Sequence, residues 1–126
     1  MELFEQLDAL YEAGWTDMIV PFLHAHLDEA RNTANHPLAI AILNELGSFY
    51  QRMGAYDEAG GYFDNAISEM DDLGLQNSYG YAVALINRAE AYRGLEYPDV
   101  ADSLLLVAEQ ILAHLEAEDG EANLPG

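Results

Sequence analysis

The stretch Leu43-Asn44-Glu45-Leu46-Gly47-Ser48-Phe49-Tyr50 returns in altered form 42 residues later as Leu85-Ile86-Asn87-Arg88-Ala89-Glu90-Ala91-Tyr92. The same offset lays Ala59 on Ala101, Phe63 on Leu105 and Ala66 on Ala108. An offset held across two helix-like segments and the loop between them marks an internal repeat. Apolar residues recur three and four apart in each copy: Ile42, Leu43, Leu46, Phe49, Tyr50 and Met53 in one, Leu85, Ala89 and Tyr92 in the other. That period belongs to amphipathic helices packing on neighbours. Ala, Leu and Glu dominate the rest and β-branched alternation is missing, so the chain is expected to be all-α.

Outward from this stretch the breaks fall regularly. Gly14, Gly54 and Gly94 stand forty residues apart, and glycine suits the left-handed residue that ends a helix. Polar breaks at 32–36, at 74–78 and after Glu118 complete the division into six helices. Thr16 is the expected N-cap of the second helix, whose start Pro21 tightens or displaces. Pro37 and Pro98 suit the openings of the third and sixth helices. The helices pair as three hairpins over 2–33, 37–74 and 78–117, one domain over 1–118, followed by a loose acidic tail over 119–126.

The middle repeat reads Leu43-x2-Leu46-Gly47-x2-Tyr50, then Gly54 and Tyr56, then Ala59-x3-Phe63-x2-Ala66. In this it resembles the tetratricopeptide repeat family, with Leu43 in place of the first aromatic. The third repeat departs from the pattern at Arg88 and Ala89, and the first keeps only Leu7, Tyr11, Gly14 and Leu27. The resemblance covers residues 2–117, and its long period is similar to that of kinesin-light-chain-type repeats. It implies a right-handed αα-superhelix of three hairpins, in which the first helices line a concave groove that binds a partner protein or peptide. Without the family name, Gly47 and Ala89 still read as small residues where helices approach closely, and each hairpin as having an apolar face that it cannot cover alone.

Composition narrows the function classes. The 126 residues carry four Lys+Arg, all arginine, against 23 Asp+Glu, a net charge of −19. Such a chain lacks the cations that neutralise phosphates, so neither nucleic acid nor an anionic membrane surface is an expected partner. No apolar run approaches a membrane span, and the acidic start Met1-Glu2-Leu3-Phe4-Glu5 is unlike a secretory signal. The absence of cysteine fits a reducing, cytoplasmic setting.

The groove face of the third helix is expected to carry Asn44, Ser48, Gln51 and Arg52, and that of the fifth Asn87, Glu90 and Arg93. Amides and arginines there can hydrogen-bond a peptide backbone and its acidic side chains. The lysine-rich carboxylate clamp of chaperone-binding family members is missing. Arg88 lies on the packed side, with Glu45 a candidate ion-pair partner. The sixth helix carries more apolar residues than one neighbour covers, and Leu104, Leu106, Ile111 and Leu115 are the expected self-association surface, giving either a homo-oligomer or a piece of a longer repeat protein.

Chemistry-bearing patterns are few. His24 and His26 point about 200° apart on a helix, and His24 with Asp28 makes too few ligands, so no metal is expected. Gly60-Gly61 lies inside the fourth helix, either as a surface defect or where another helix comes close. No phosphate loop, Rossmann fingerprint or nucleophile elbow occurs. The expectation is a protein without enzymatic activity or cofactor that binds a partner. Alternatives are a self-associating or regulatory segment, or a peptide or small-ligand sensor.

Overall fold

The computed structural model describes residues 2–122, and these are all-α. Six helices follow in order: α1 Leu3–Glu12, α2 Ile19–Asn32, α3 His36–Arg52, α4 Tyr56–Asp72, α5 Tyr79–Gly94 and α6 Pro98–Ala122. A single 3₁₀ turn, Thr16–Met18, precedes α2. Thr16 therefore sits inside that turn rather than capping α2, and no side chain caps either element. Pro21 is the third residue of α2, where a missing N–H leaves no helical bond unmade. The caps of α3 and α5 are side-chain caps: Asn35 accepts from the Leu38 N–H and Ser78 from the Tyr81 N–H.

The five interhelical turns share one geometry. Gly14, Ala34, Gly54, Gly74 and Glu96 all have left-handed φ, between 54° and 77°. The next residue in each case donates its N–H to the carbonyl five positions back: Trp15 to Leu10, Asn35 to Ala30, Ala55 to Tyr50, Leu75 to Met70 and Tyr97 to Tyr92, at 2.8–3.0 Å. This is the bonding of a Schellman motif, which satisfies carbonyls that the helix end leaves open. The left-handed residues are spaced by 20, 20, 20 and 22, so the chain is a series of similar helix-and-turn units. The expected terminator Gly94 is instead the last residue of α5, and Glu96 takes the left-handed position. A Cβ on Gly94 would lie 2.6 Å from the Tyr56 ring, so close approach rather than φ requires glycine there.

Each helix packs on its chain neighbour, most extensively α3 on α4 and α5 on α6, and α3 also touches α5. Ten of the 22 buried core residues are alanines, and in α5 and α6 only Leu85 is larger. Those two helices therefore meet at close range. At Gly47 the ring of Phe63, 1% exposed, occupies the space that a Cβ would need. Five side-chain hydrogen bonds join residues 38 to 41 apart: His24 with Tyr62, Arg31 with Glu69, Gln51 with Glu90, Tyr79 with Asp119, and Arg52 with Tyr11.

One expectation is corrected here, and one choice left open is decided. α6 continues through Ala122, so 119–122 are helical rather than a loose tail, and 123–126 lie outside the described residues. Leu115 and Ala117 favour helix, the His114 imidazole lies 3.0 Å from Glu118, and the Tyr79 hydroxyl donates to Asp119 at 2.8 Å, tying the extension to α5. Gly60 and Gly61 lie within α4, but no backbone crowds them: a Cβ on Gly60 would stand 4.0 Å from that of Ala91, and one on Gly61 would meet nothing. Among the described residues no helix is long and apolar enough to cross a membrane.

Candidate functional site: a polar cleft between α3 and α5

The last two turns of α3 and the middle of α5 border a cleft of about 210 Å³ lined by Ser48, Gln51, Arg52, Asn87 and Glu90, with Phe63 of α4 beneath. Five of the seven residues expected to bind a partner thus stand together. Their spacing explains it: Ser48, Gln51 and Arg52 are three and four apart on α3, as Asn87 and Glu90 are on α5, so each set shares one helix face. Phe63, almost fully buried, is the one apolar residue of the lining, and the others carry a hydroxyl, two amides, a guanidinium and a carboxylate.

The groups are partly engaged with one another. Gln51 Nε2 donates to Glu90 Oε2 at 2.6 Å across the cleft, while Gln51 Oε1 is buried without a hydrogen-bond partner. Arg52 donates to the Tyr11 hydroxyl at 2.7 Å, with its guanidinium carbon 5.3 Å from the centre of that ring. Asn44 lies one turn earlier on α3, outside the lining, and its Oδ1 is likewise buried and unpartnered. Arg93 is also outside: it reaches across to Asp102 of α6 at 3.5 Å. Phe63 as floor and Tyr11 as the partner of Arg52 were not anticipated, because both depend on how neighbouring helices are registered.

The remaining charges act between helices. Arg88 pairs with Asp64 of α4, not with Glu45. Glu45 faces Arg52 and Asp8 instead; burial pushes its carboxyl up from the ordinary 4.5, Arg52 pulls it back, and Asp8 adds to the rise. Asp64 is also raised, because burial outweighs the attraction of Arg88. All four arginines therefore have partners on another helix: Arg31 on α4, Arg52 on α1, Arg88 on α4 and Arg93 on α6. His24 Nε2 lies 3.0 Å from the Tyr62 hydroxyl, and His26 packs against Phe22, so the two imidazoles turn to different neighbours. Among the described residues no three His, Asp or Glu side chains gather where they could hold a metal ion.

The expected self-association residues divide on α6. Leu104 and Ile111 are partly buried against the core, Leu115 is half-buried, and Leu106 is 55% exposed. Val100 and Val107 are exposed on the same helix. The one carboxylate of the cleft, that of Glu90, is already bonded to Gln51. Comparison with known proteins finds no family model and no curated relative that matches the chain.

Proposed function

We propose that this chain is a non-enzymatic protein-interaction module: a right-handed superhelix of three tetratricopeptide-like hairpins that binds an extended or helical peptide of a partner protein over the α3–α5 face. The observation that carries this reading is the α3–α5 cleft, where amide, hydroxyl and charged groups of two helices converge. An amide side chain offers both donor and acceptor, which a peptide backbone complements. The recurring left-handed turns and the hydrogen bonds between residues one hairpin apart support the repeat reading. A cytoplasmic location belongs to the same reading and rests on the cysteine-free composition.

Selection of a random-peptide display library on the immobilised protein tests it. Selected peptides should bind Gln51→Ala/Asn87→Ala at least about tenfold more weakly, the loss of roughly 1.4 kcal/mol. Unchanged binding to this variant, with its helicity intact, would remove the cleft as the site. A second reading is self-association through α6, favoured by exposed Val100, Leu106 and Val107. Sedimentation of wild type beside Leu106→Glu decides it: a dimer that the substitution dissociates supports this reading, and a monomeric wild type rejects it.

A further inference from the structure

At the opposite end of α3 from the cleft, the last turns of α2 and α4 meet the first turn of α3 around a pocket of about 230 Å³. The 17-residue α3 is about 25 Å long, so the two sites are well separated. Ala30, Ala39 and Leu73 form the apolar part of the lining, and Arg31, His36, Glu69 and Asp72 the polar part. Its volume is below the roughly 300–1,000 Å³ of sites that enclose a whole drug-sized molecule, and suits one inserted side chain.

The charges of the pocket do not balance. Arg31 Nη2 lies 3.2 Å from Glu69 Oε1, while Glu69 Oε2 is buried without a hydrogen-bond partner. Asp72 is exposed and has no ion-pair partner among the described residues. One guanidinium thus faces two carboxylates on a chain whose net charge is −19. The field of the whole molecule draws cations towards it, and the excess carboxylate gives one a place to stop. An apolar stem with a positive head fits both parts of the lining.

We infer that this pocket receives a basic side chain, lysine or arginine, presented by a partner protein. The aliphatic stem lies along Ala30, Ala39 and Leu73, and the charged head reaches the Glu69–Asp72 side. The site is separate from the α3–α5 cleft, and it stands or falls independently of it.

Nuclear magnetic resonance titration with Nα-acetyl-lysine methylamide tests this, with Nα-acetyl-norleucine methylamide as the uncharged control. The lysine compound should give saturable millimolar shifts centred on Ala30, Ala39 and Leu73, and the norleucine compound none. Asp72→Asn should weaken binding about threefold, as expected for one exposed ion pair. Asp72→Lys, which supplies its own cation, should abolish it. Glu12→Lys, which makes the same change in net charge elsewhere, should leave it intact. Equal shifts with norleucine, shifts spread over the whole acidic surface, or a loss in Glu12→Lys matching that in Asp72→Lys would each overturn the inference. Spermidine binding more tightly than a lysine peptide at these residues would overturn the protein source of the cation.

Discussion

Gly47 shows how far one hydrogen atom in place of a methyl group can matter. A Cβ there would fall 2.5–2.8 Å from three atoms of the buried Phe63 ring. Gly47→Ala should destabilise the fold by about 1–3 kcal/mol through overpacking, reduced by the better helix propensity of alanine. Gly61→Ala is the matched control: mid-helix, with nothing within 4 Å, it should stabilise by about 0.5–1 kcal/mol. Urea denaturation of the two variants checks both signs. Glu96 poses the converse case, an ordinary residue held at φ 68°. Glu96→Gly should gain about 1 kcal/mol, seen as a melting temperature higher by roughly 3–5 °C. This position also marks what the sequence left unread. Gly14 and Gly54 advertise left-handed turns by having no Cβ, whereas Ala34 and Glu96 adopt the same conformation with one. Composition betrays a turn only where the residue type is chosen for it; the Schellman hydrogen bonds hold the other two.

At the scale of the element, α5 explains why some faces were legible and others were not. Its buried residues Ala82, Leu85 and Ala89 share one side, and Ala84 and Ala91 another, because it packs against both α4 and α6. A helix covered on two sides has no single apolar stripe. The buried residues of α3 keep to one arc of that helix, so the sequence could place Ser48, Gln51 and Arg52 together on the remaining face, and they line the cleft with Asn87 and Glu90 of α5. The sequence put Arg88 on the packed side but chose the wrong carboxylate, since Asp64 against Glu45 is a matter of helix register. The starts of α3, α5 and α6 were read where a cap or a proline signals them, whereas Thr16 misled at α2. The end of α6 was misread because an acidic run and Gly120 resemble a stop while the helix continues. The cap of α5 is open to test. Ser78→Ala removes the acceptor for the Tyr81 N–H and should cost about 1 kcal/mol. Amide exchange should quicken first over the opening turn of α5.

Across the whole molecule, four arginines each join two helices in a chain that otherwise repels itself. With 23 acidic residues the compact state gathers negative charge that the unfolded chain spreads out. Added salt screens that repulsion, so thermal stability should rise between about 10 mM and 0.5 M sodium chloride, where the Debye length falls from roughly 30 Å to below 10 Å. Mild acid should act in the same direction, for a second and more local reason. Glu45 and Asp64 are both raised above their ordinary values of 4.5 and 3.8, so the folded chain holds protons that the unfolded chain has already released. Within the window between each ordinary value and its raised one, the native state binds more protons, and stability falls as pH rises. Below the ordinary values both states are protonated and the effect levels off. Melting temperature should therefore climb as pH is lowered from 7 towards 4.5, the ordinary value of Glu45. Glu45→Gln copies the protonated carboxyl and removes the charge that faces Asp8, so it should be at least as stable as wild type at pH 7 and should show a shallower climb. The comparison at fixed high salt separates the two causes, since screening suppresses the general repulsion but leaves the burial of Glu45 in place. A wild-type pH slope that the substitution leaves unchanged at high salt would mean that Glu45 gains no proton on folding.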